Sequence, residues 1–233
     1  MATDSKTNEP ITIRPFEPDD ERVCKWLFVK GMEFIPWATV TEMLKSYIAL
    51  TVYILVLSIL FIWPKFLIYI LALFYLLLLV LWLLVKRSID QFCQHSLDSD
   101  LADIQQFYIN TKDCRSHYWV AILNNSSGTT DGLRLGDIVG MIALEYKDND
   151  IGELRRMSIH PQLRTMSVGR KLLDALLVWA KAKGYKRIYL ETTMAQKRTI
   201  ALYKKAGFKY CKNRSHYDWK SNLSLLIYEK TIE

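Results

Sequence analysis

The chain has 233 residues, enough for one domain with an added element, and 51% of them are apolar. Lys and Arg number 31 against 24 Asp and Glu, a net charge of +7, which suits an anionic membrane surface or an anionic small molecule and is met equally by a mildly basic solvated surface. The four cysteines (Cys24, Cys93, Cys114, Cys211) form no C-x-x-C pair, which argues against a zinc site or redox pair and for free thiols in a reducing compartment, and no motif points to nucleic acid.

Met1–Pro10 is polar and reads as a disordered tail; no apolar core follows closely enough for a signal peptide. Ile11–Phe16 alternates as a strand, and Asp19-Asp20-Glu21 opens a helix that runs through Val23, Trp26 and Leu27 toward Gly31. From Tyr47 to Val85 there are 39 residues with one charge, Lys65. Pro64-Lys65 divides them into runs of 17 and 20, against the roughly 17–25 that a membrane helix needs. Tyr47, Trp63 and Trp82 are candidate interfacial anchors. The first strand must join a sheet built mainly after residue 115, so both ends of the run have to emerge on one side. That predicts a helical hairpin turning at Pro64-Lys65, fully crossing or re-entrant. Lys45 and Lys86-Arg87 flank its open end and place that end in the cytosol. The expected organisation is therefore 1–45, a membrane hairpin over 46–87, and 88–233.

Ser88–Asp113 reads as a polar helical stretch, with Asp98-Ser99-Asp100 capping a helix that carries Leu101, Ile104 and Tyr108. Strands are predicted over His117–Leu123, Asp137–Tyr146 and Gly152–Ile159, with a turn-rich loop at Asn124–Gly136. His160-Pro161 ends the third strand. Val168, Leu172, Leu176 and Ala180 form one apolar helical stripe, stopped by Gly184. Strand Arg187–Thr192, helix Met194–Lys205 and strands Phe208–Lys212 and Leu223–Thr231 complete an α+β chain. The turn before the stripe helix is a natural phosphate site, because free N–H groups and the helix dipole converge there.

Arg164 to Gly169 resembles the acetyl-CoA pyrophosphate turn, Arg/Gln-x-x-Gly-x-Gly/Ala, of the GCN5-related N-acetyltransferases; Ser167 stands where the family has its middle glycine. Ala201 to Phe208 resembles that family's Leu-Tyr-x-x-x-Gly-Phe segment. Glu153 to Ile159, Tyr118-Trp119-Val120-Ala121 and the apolar insert are similar to the camello-type branch, which includes cysteine-S-conjugate and aspartate N-acetyltransferases. The likeness runs from about Ile11 to the end. It implies that family's mixed, mostly antiparallel sheet flanked by helices, with the hairpin inserted, and acetyl-CoA as co-substrate without a metal.

Several roles follow from the resemblance. Thr165, Met166, Ser167, Val168 and Gly169 would hold the pyrophosphate with their N–H groups, aided by Arg164 and Arg170. Met157, Ser158 and Ile159 would carry the pantetheine arm past the thioester. Gln196 occupies a position that is often Asn in the family and would contact the cofactor. Tyr203 would protonate the leaving thiolate; otherwise it is a core aromatic. Glu153 is the best general base, against the alternative of an ion pair with Arg155 or a lysine, and His160 and His117 are runners-up. No Ser or Cys has a matched base, so transfer should be direct. Arg155 or Arg156 could receive a substrate carboxylate, while the hairpin would supply apolar surface to a thioether conjugate. The implied activity is membrane-anchored acetylation of a small amino acid, an amino-acid conjugate or a protein lysine, at the endoplasmic reticulum or Golgi with the domain in the cytosol. A non-catalytic hairpin protein with an acetyl-CoA-binding module stays open, because Ser167 and Gln196 depart from the pattern. The sequons at Asn124, Asn125, Asn213 and Asn222 would report the membrane side.

Overall fold

The computed structural model describes residues 9–45, 47–62, 67–111, 114–124, 132–164, 166–214 and 225–232. Its strands are β1 (Ile11–Pro15), β2 (His117–Leu123), β3 (Ile138–Tyr146), β4 (Ile151–Ile159), β5 (Arg187–Thr193), β6 (Lys209–Arg214) and β7 (Leu225–Thr231). They form one sheet in the order β1-β2-β3-β4-β5-β7-β6. Among the described residues only β4 and β5 pair in parallel, and helix α5 (Val168–Ala182) is the crossover between them. The other helices are α1 (Glu21–Met32), α2 (Ile35–Leu44), α3 (Tyr47–Ile62), α4 (Leu67–Asp98) and α6 (Lys197–Lys205).

The interior strand β3 is buried along most of its length because helices cover both faces of the sheet. On one face the predicted stripe of α5, with Leu173, packs on Ile142, Leu144 and Leu154. On the other, Cys24, Leu27 and Phe28 of α1 and Ile89 and Cys93 of α4 pack on Val120, Met141 and Ala143. Strand β1 pairs with β2 from Ile11↔Leu123 to Pro15↔Trp119. The chain segments before and after the apolar run thus meet in one sheet.

The apolar run gives two helices whose rings touch at Tyr53 and Phe74, with centroids 5.7 Å apart. Their side chains lie open: Leu57 is 65% and Ile68 76% exposed. Among the described residues one helix, Ile68–Asp98, is long and apolar enough to cross a bilayer; α3 has 16 residues. The predicted tip, Pro64-Lys65, lies outside the described residues.

Three local readings are corrected. Ser88–Asp98 is not a new helix but the last turns of α4, which continues past Lys86 without a break. Asp98-Ser99-Asp100 ends that helix instead of opening one, and a single π turn, Gln105–Ile109, follows. The reason is that the buried Asp100 carboxylate is taken by Arg156 and Tyr108 and so caps nothing. Helix α2 has no counterpart in the sequence reading. It packs on α4 through Ile35, Pro36 and Val40 while Trp37 faces outward, so its pattern is masked by an exposed aromatic.

Candidate active site

Strands β4 and β5 pair only from Ile151↔Arg187 to Leu154↔Leu190, although both run on. Beyond Leu154 they part, since β5 stays with β7 as far as Thr193↔Leu225. The wedge between them is the floor of a cleft of about 540 Å³. Its walls come from the ends of α1, α5 and α6 and the turn before α2: Gly31 and Phe34, Met157 to Ile159, Arg164, Ser167, Gly169 and Arg170, and Gln196 to Thr199.

A bulge sets which side chains face this cleft. Met141 pairs with Ser158 and Ala143 with Arg155, so Ile142 alone opposes both Arg156 and Met157. Arg156 has φ 53°, a left-handed conformation unusual for a residue with a Cβ. Its guanidinium turns to the α1/α4 face, while Met157 and Ile159 pack on the α5 side.

At the start of α5 the first helical bonds run from the N–H groups of Arg170 and Lys171 to the Ser167 carbonyl. The amides of Val168 and Gly169 precede them and have no intrahelical acceptor. Gly169 is required by close approach: a Cβ there would lie 2.7 Å from Ile159 Cδ1 and 2.9 Å from Met157 Cε. Ser167 holds φ 58°, ψ 11°. The backbone therefore keeps the left-handed turn that the family fills with glycine, and a serine bears the strain. Replacing Ser167 with glycine should raise thermal stability by about 1 kcal/mol and leave acetyl-CoA affinity equal or better. Thermal denaturation with and without the cofactor reads both; a less stable variant would mean that the serine side chain outweighs the strain.

The cleft is cationic. Arg164 is half-buried, its guanidinium 4.7 Å over the Phe34 ring. Burial, and then repulsion from Arg198, pushes its pKa down. Arg170 pairs with Asp174 at 2.8 Å and Lys197 with Glu42 of α2 at 2.7 Å. A half-buried guanidinium facing another is costly without an anion, so the donor set and the tight backbone at Gly169 fit a diphosphate. Sequence reasoning missed Gly31, Phe34, Lys197 and Arg198. A signal existed for the last two, because paired cations in a helix's first turn oppose its dipole.

Of the predicted cofactor residues, Met157, Ser158, Ile159, Arg164, Ser167, Gly169, Arg170 and Gln196 line this one cleft. Gln196 Oε1 accepts a 2.8 Å bond from Thr192. Val168 is buried beneath the turn and Met166 packs on the core. Thr165 lies outside the described residues. Tyr203 sits behind Met157 and donates to its Sδ at 3.4 Å; burial raises its pKa, so the phenol keeps its proton at neutral pH. Glu153 is on the opposite face of β4, where the strands are about to part. It pairs with Lys147 at 2.9 Å and accepts a 3.2 Å bond from Tyr189. His160 stacks on Trp26 and His117 on Trp179, both away from the cleft lining. Arg155 binds Glu145 at 2.6 Å, and Arg156 is buried on Asp100, so the described carboxylates already occupy both arginines.

A model of the acetyltransferase (GNAT) family matches residues 82–208, more than half of the chain. The chain belongs to the GNAT acetyltransferase family. This acetyltransferase is 31% identical over 204 residues to mouse N-acetyltransferase family 8 member 3, covering 86% of the chain and 85% of the relative. It is 27% identical to Xenopus tropicalis N-acetylaspartate synthetase, covering 90% and 73%. Both are of the camello-type branch that the sequence resembles. A GNAT-family acetyltransferase from Staphylococcus aureus Mu50 shares the fold with a TM-score of 0.54 at 18% identity, over 96% of this chain and 99% of that one. The expected fold, a mixed sheet flanked by helices, and acetyl-CoA-dependent N-acetyltransferase activity are both borne out.

Proposed function

We propose that the chain is a membrane-anchored acetyltransferase that moves acetyl from acetyl-CoA to the amine of a small amino acid or amino-acid conjugate. One observation carries the reading: Phe34, which lines the cleft, immediately precedes α2, and α2 leads within three residues into the exposed apolar helices α3 and α4. The Glu42–Lys197 ion pair ties α2 to the cationic side of that cleft. Apolar helices this exposed need a lipid surround, and the antiparallel β1–β2 pairing supports an even crossing or a re-entrant hairpin. The organisation we favour is the split domain 1–45 and 88–233 around a hairpin at 46–87, held at the endoplasmic reticulum with the domain in the cytosol.

Within the cleft, the Val168 and Gly169 amides with Arg164, Arg170 and Arg198 hold the phosphates of the co-substrate. The backbone of Met157 to Ile159 positions the pantetheine arm, and acetyl-CoA supplies the activated acyl group. Glu153, through water, takes one proton from the substrate ammonium. The freed amine then forms its C–N bond to the acetyl carbon as the C–S bond breaks. Tyr203, reached once Met157 swings aside, gives its proton to the departing sulfur and regains one from the nitrogen.

The test is thiol release from acetyl-CoA by detergent-purified protein against aspartate, S-benzyl-cysteine and a lysine peptide. Release with one of the two small amines is expected. Acetyl-CoA binding without release from any amine would favour a binding module. Protein that alkaline carbonate strips from membranes, or glycan on Asn124, Asn125, Asn213 or Asn222, would remove the anchored, cytosolic placement.

A further inference from the structure

The bulge in β4 has a lock of its own. Arg156 reaches across to the end of α4 and the segment after it, where its Nε donates to Asp100 Oδ2 at 2.8 Å and its Nη1 to Ser96 Oγ at 2.8 Å. Its Nη2 also pairs with the other Asp100 oxygen, and Tyr108 O–H closes the cluster on Asp100. The guanidinium lies over Phe28 at 5.0 Å and near Phe92 at 5.7 Å. The arginine side chain is 5% exposed and the aspartate 1%.

A glycine would take φ 53° without strain. That an arginine stands there, with every guanidinium nitrogen engaged, ties the unusual backbone to the buried aspartate. The consequence for β4 is one of phase. In a regular strand successive side chains alternate between faces, and a shift of one residue moves each of them to the other face. Arg155 and Arg156 both point to the α1/α4 side, where they meet Asp100. Met157 and Ile159 consequently face α5, and Ser158 faces α1, with its Oγ donating 2.9 Å to the Leu27 carbonyl. Without the bulge Met157 and Ile159 would point at α1, and Ser158 would point at the pyrophosphate turn.

We infer that Arg156, held by Asp100 and Ser96, is a positioning residue for the co-substrate: it fixes the phase of Met157 to Ile159 and so couples the end of the long helix α4 to the acetyl-CoA cleft. This rests on the reading of that cleft given above. The assignment is to binding geometry, not only to fold stability, and that distinction is testable.

The experiment uses the full-length protein in detergent and measures the acetyl-CoA dissociation constant by calorimetry, which requires no amine. Arg156→Gly still permits φ 53° but no longer holds the bulge there; its affinity should fall about tenfold or more, roughly 1.4 kcal/mol, with a lower thermal midpoint. Arg156→Gly combined with Asp100→Asn leaves no buried carboxylate unpaired. It should recover most of the thermal midpoint while affinity stays low. Arg156→Lys, which keeps the charge but loses the two-pronged grip, should fold and lie between wild type and glycine in affinity. If the double variant regains affinity together with stability, or if all folded variants bind as wild type does, the lock is structural only and the inference fails. If wild type itself binds no acetyl-CoA, the reading of the cleft fails instead. Should Arg156→Gly not fold, Arg156→Lys decides: wild-type affinity in it overturns the proposal, reduced affinity in folded protein supports it.

Discussion

Replacing Tyr203 with phenylalanine should lower kcat roughly 100- to 10,000-fold, the range of a lost general acid, with little change in the KM for acetyl-CoA. The hydroxyl is buried against Met157 Sδ and makes no bond to the cofactor turn, so its loss removes a proton and not a grip. The ring is 4% exposed and packs on Phe208, and phenylalanine keeps that packing. The pH dependence has a definite sign. The acid works only when protonated, and burial pushes its pKa above the ordinary value of 10.0. The wild-type rate limb governed by Tyr203 should therefore stay level up to about pH 10 and fall only beyond it. A Tyr203→Phe enzyme within threefold of wild type in kcat would leave the phenol as core packing.

Replacing Asp100 with asparagine should cost about 3–5 kcal/mol, the penalty for stranding a buried charge. For a chain of this size that is a fall of roughly 10 °C in thermal midpoint. The variant leaves the Arg156 guanidinium enclosed by Phe28 and Phe92 with only Ser96 and an amide to face. An exposed ion pair would contribute 0–1 kcal/mol or so, so a loss below about 1 kcal/mol would show the cluster to be solvated. Acid should mimic the mutation. Burial opposes ionisation of Asp100, but Arg156, Arg155 and Tyr108 outweigh it and hold the carboxyl below its ordinary 3.8. The unfolded chain then binds the proton more readily than the native one. The stability from Asp100 is fully present above about pH 4 and drains away as pH falls through the native value; Asp100→Asn should lack that component of the acid transition.

Much of this was legible before the structure. The stripe from Val168 to Ala180 is strongly periodic and was placed within a residue or two. The alternating strands around Tyr118 and Leu190 were equally plain. The cleft proposed for the cofactor has its parts in short motifs, and eight of the eleven residues expected to bind it line that one cleft. What escaped shares a physical cause. Helix α2 buries only a narrow strip against another helix and exposes Trp37, so its periodicity is weak. The change from apolar to charged residues at Lys86 looks like an element boundary. It marks only a change of surroundings, because backbone hydrogen bonding in a helix is indifferent to whether side chains are apolar or charged. The bulge at Arg156 is invisible to any alternation rule, since it depends on Asp100, 56 residues earlier.

The pairing of β1 with β2 also has a consequence for biosynthesis. The two strands are joined register to register, yet about a hundred residues, including the whole apolar run, separate them in the chain. At translation rates of about 5–20 residues per second, the first strand waits roughly 5–20 s for its partner to be made. During that wait Ile11 and Phe16, both buried in the finished domain, have no sheet to join, and the apolar helices emerge first. On the membrane-anchored reading proposed above, delivery of those helices to the bilayer precedes closure of the domain, and anything that delays it exposes the unpaired first strand and the nascent α1 to chaperones and to neighbouring chains.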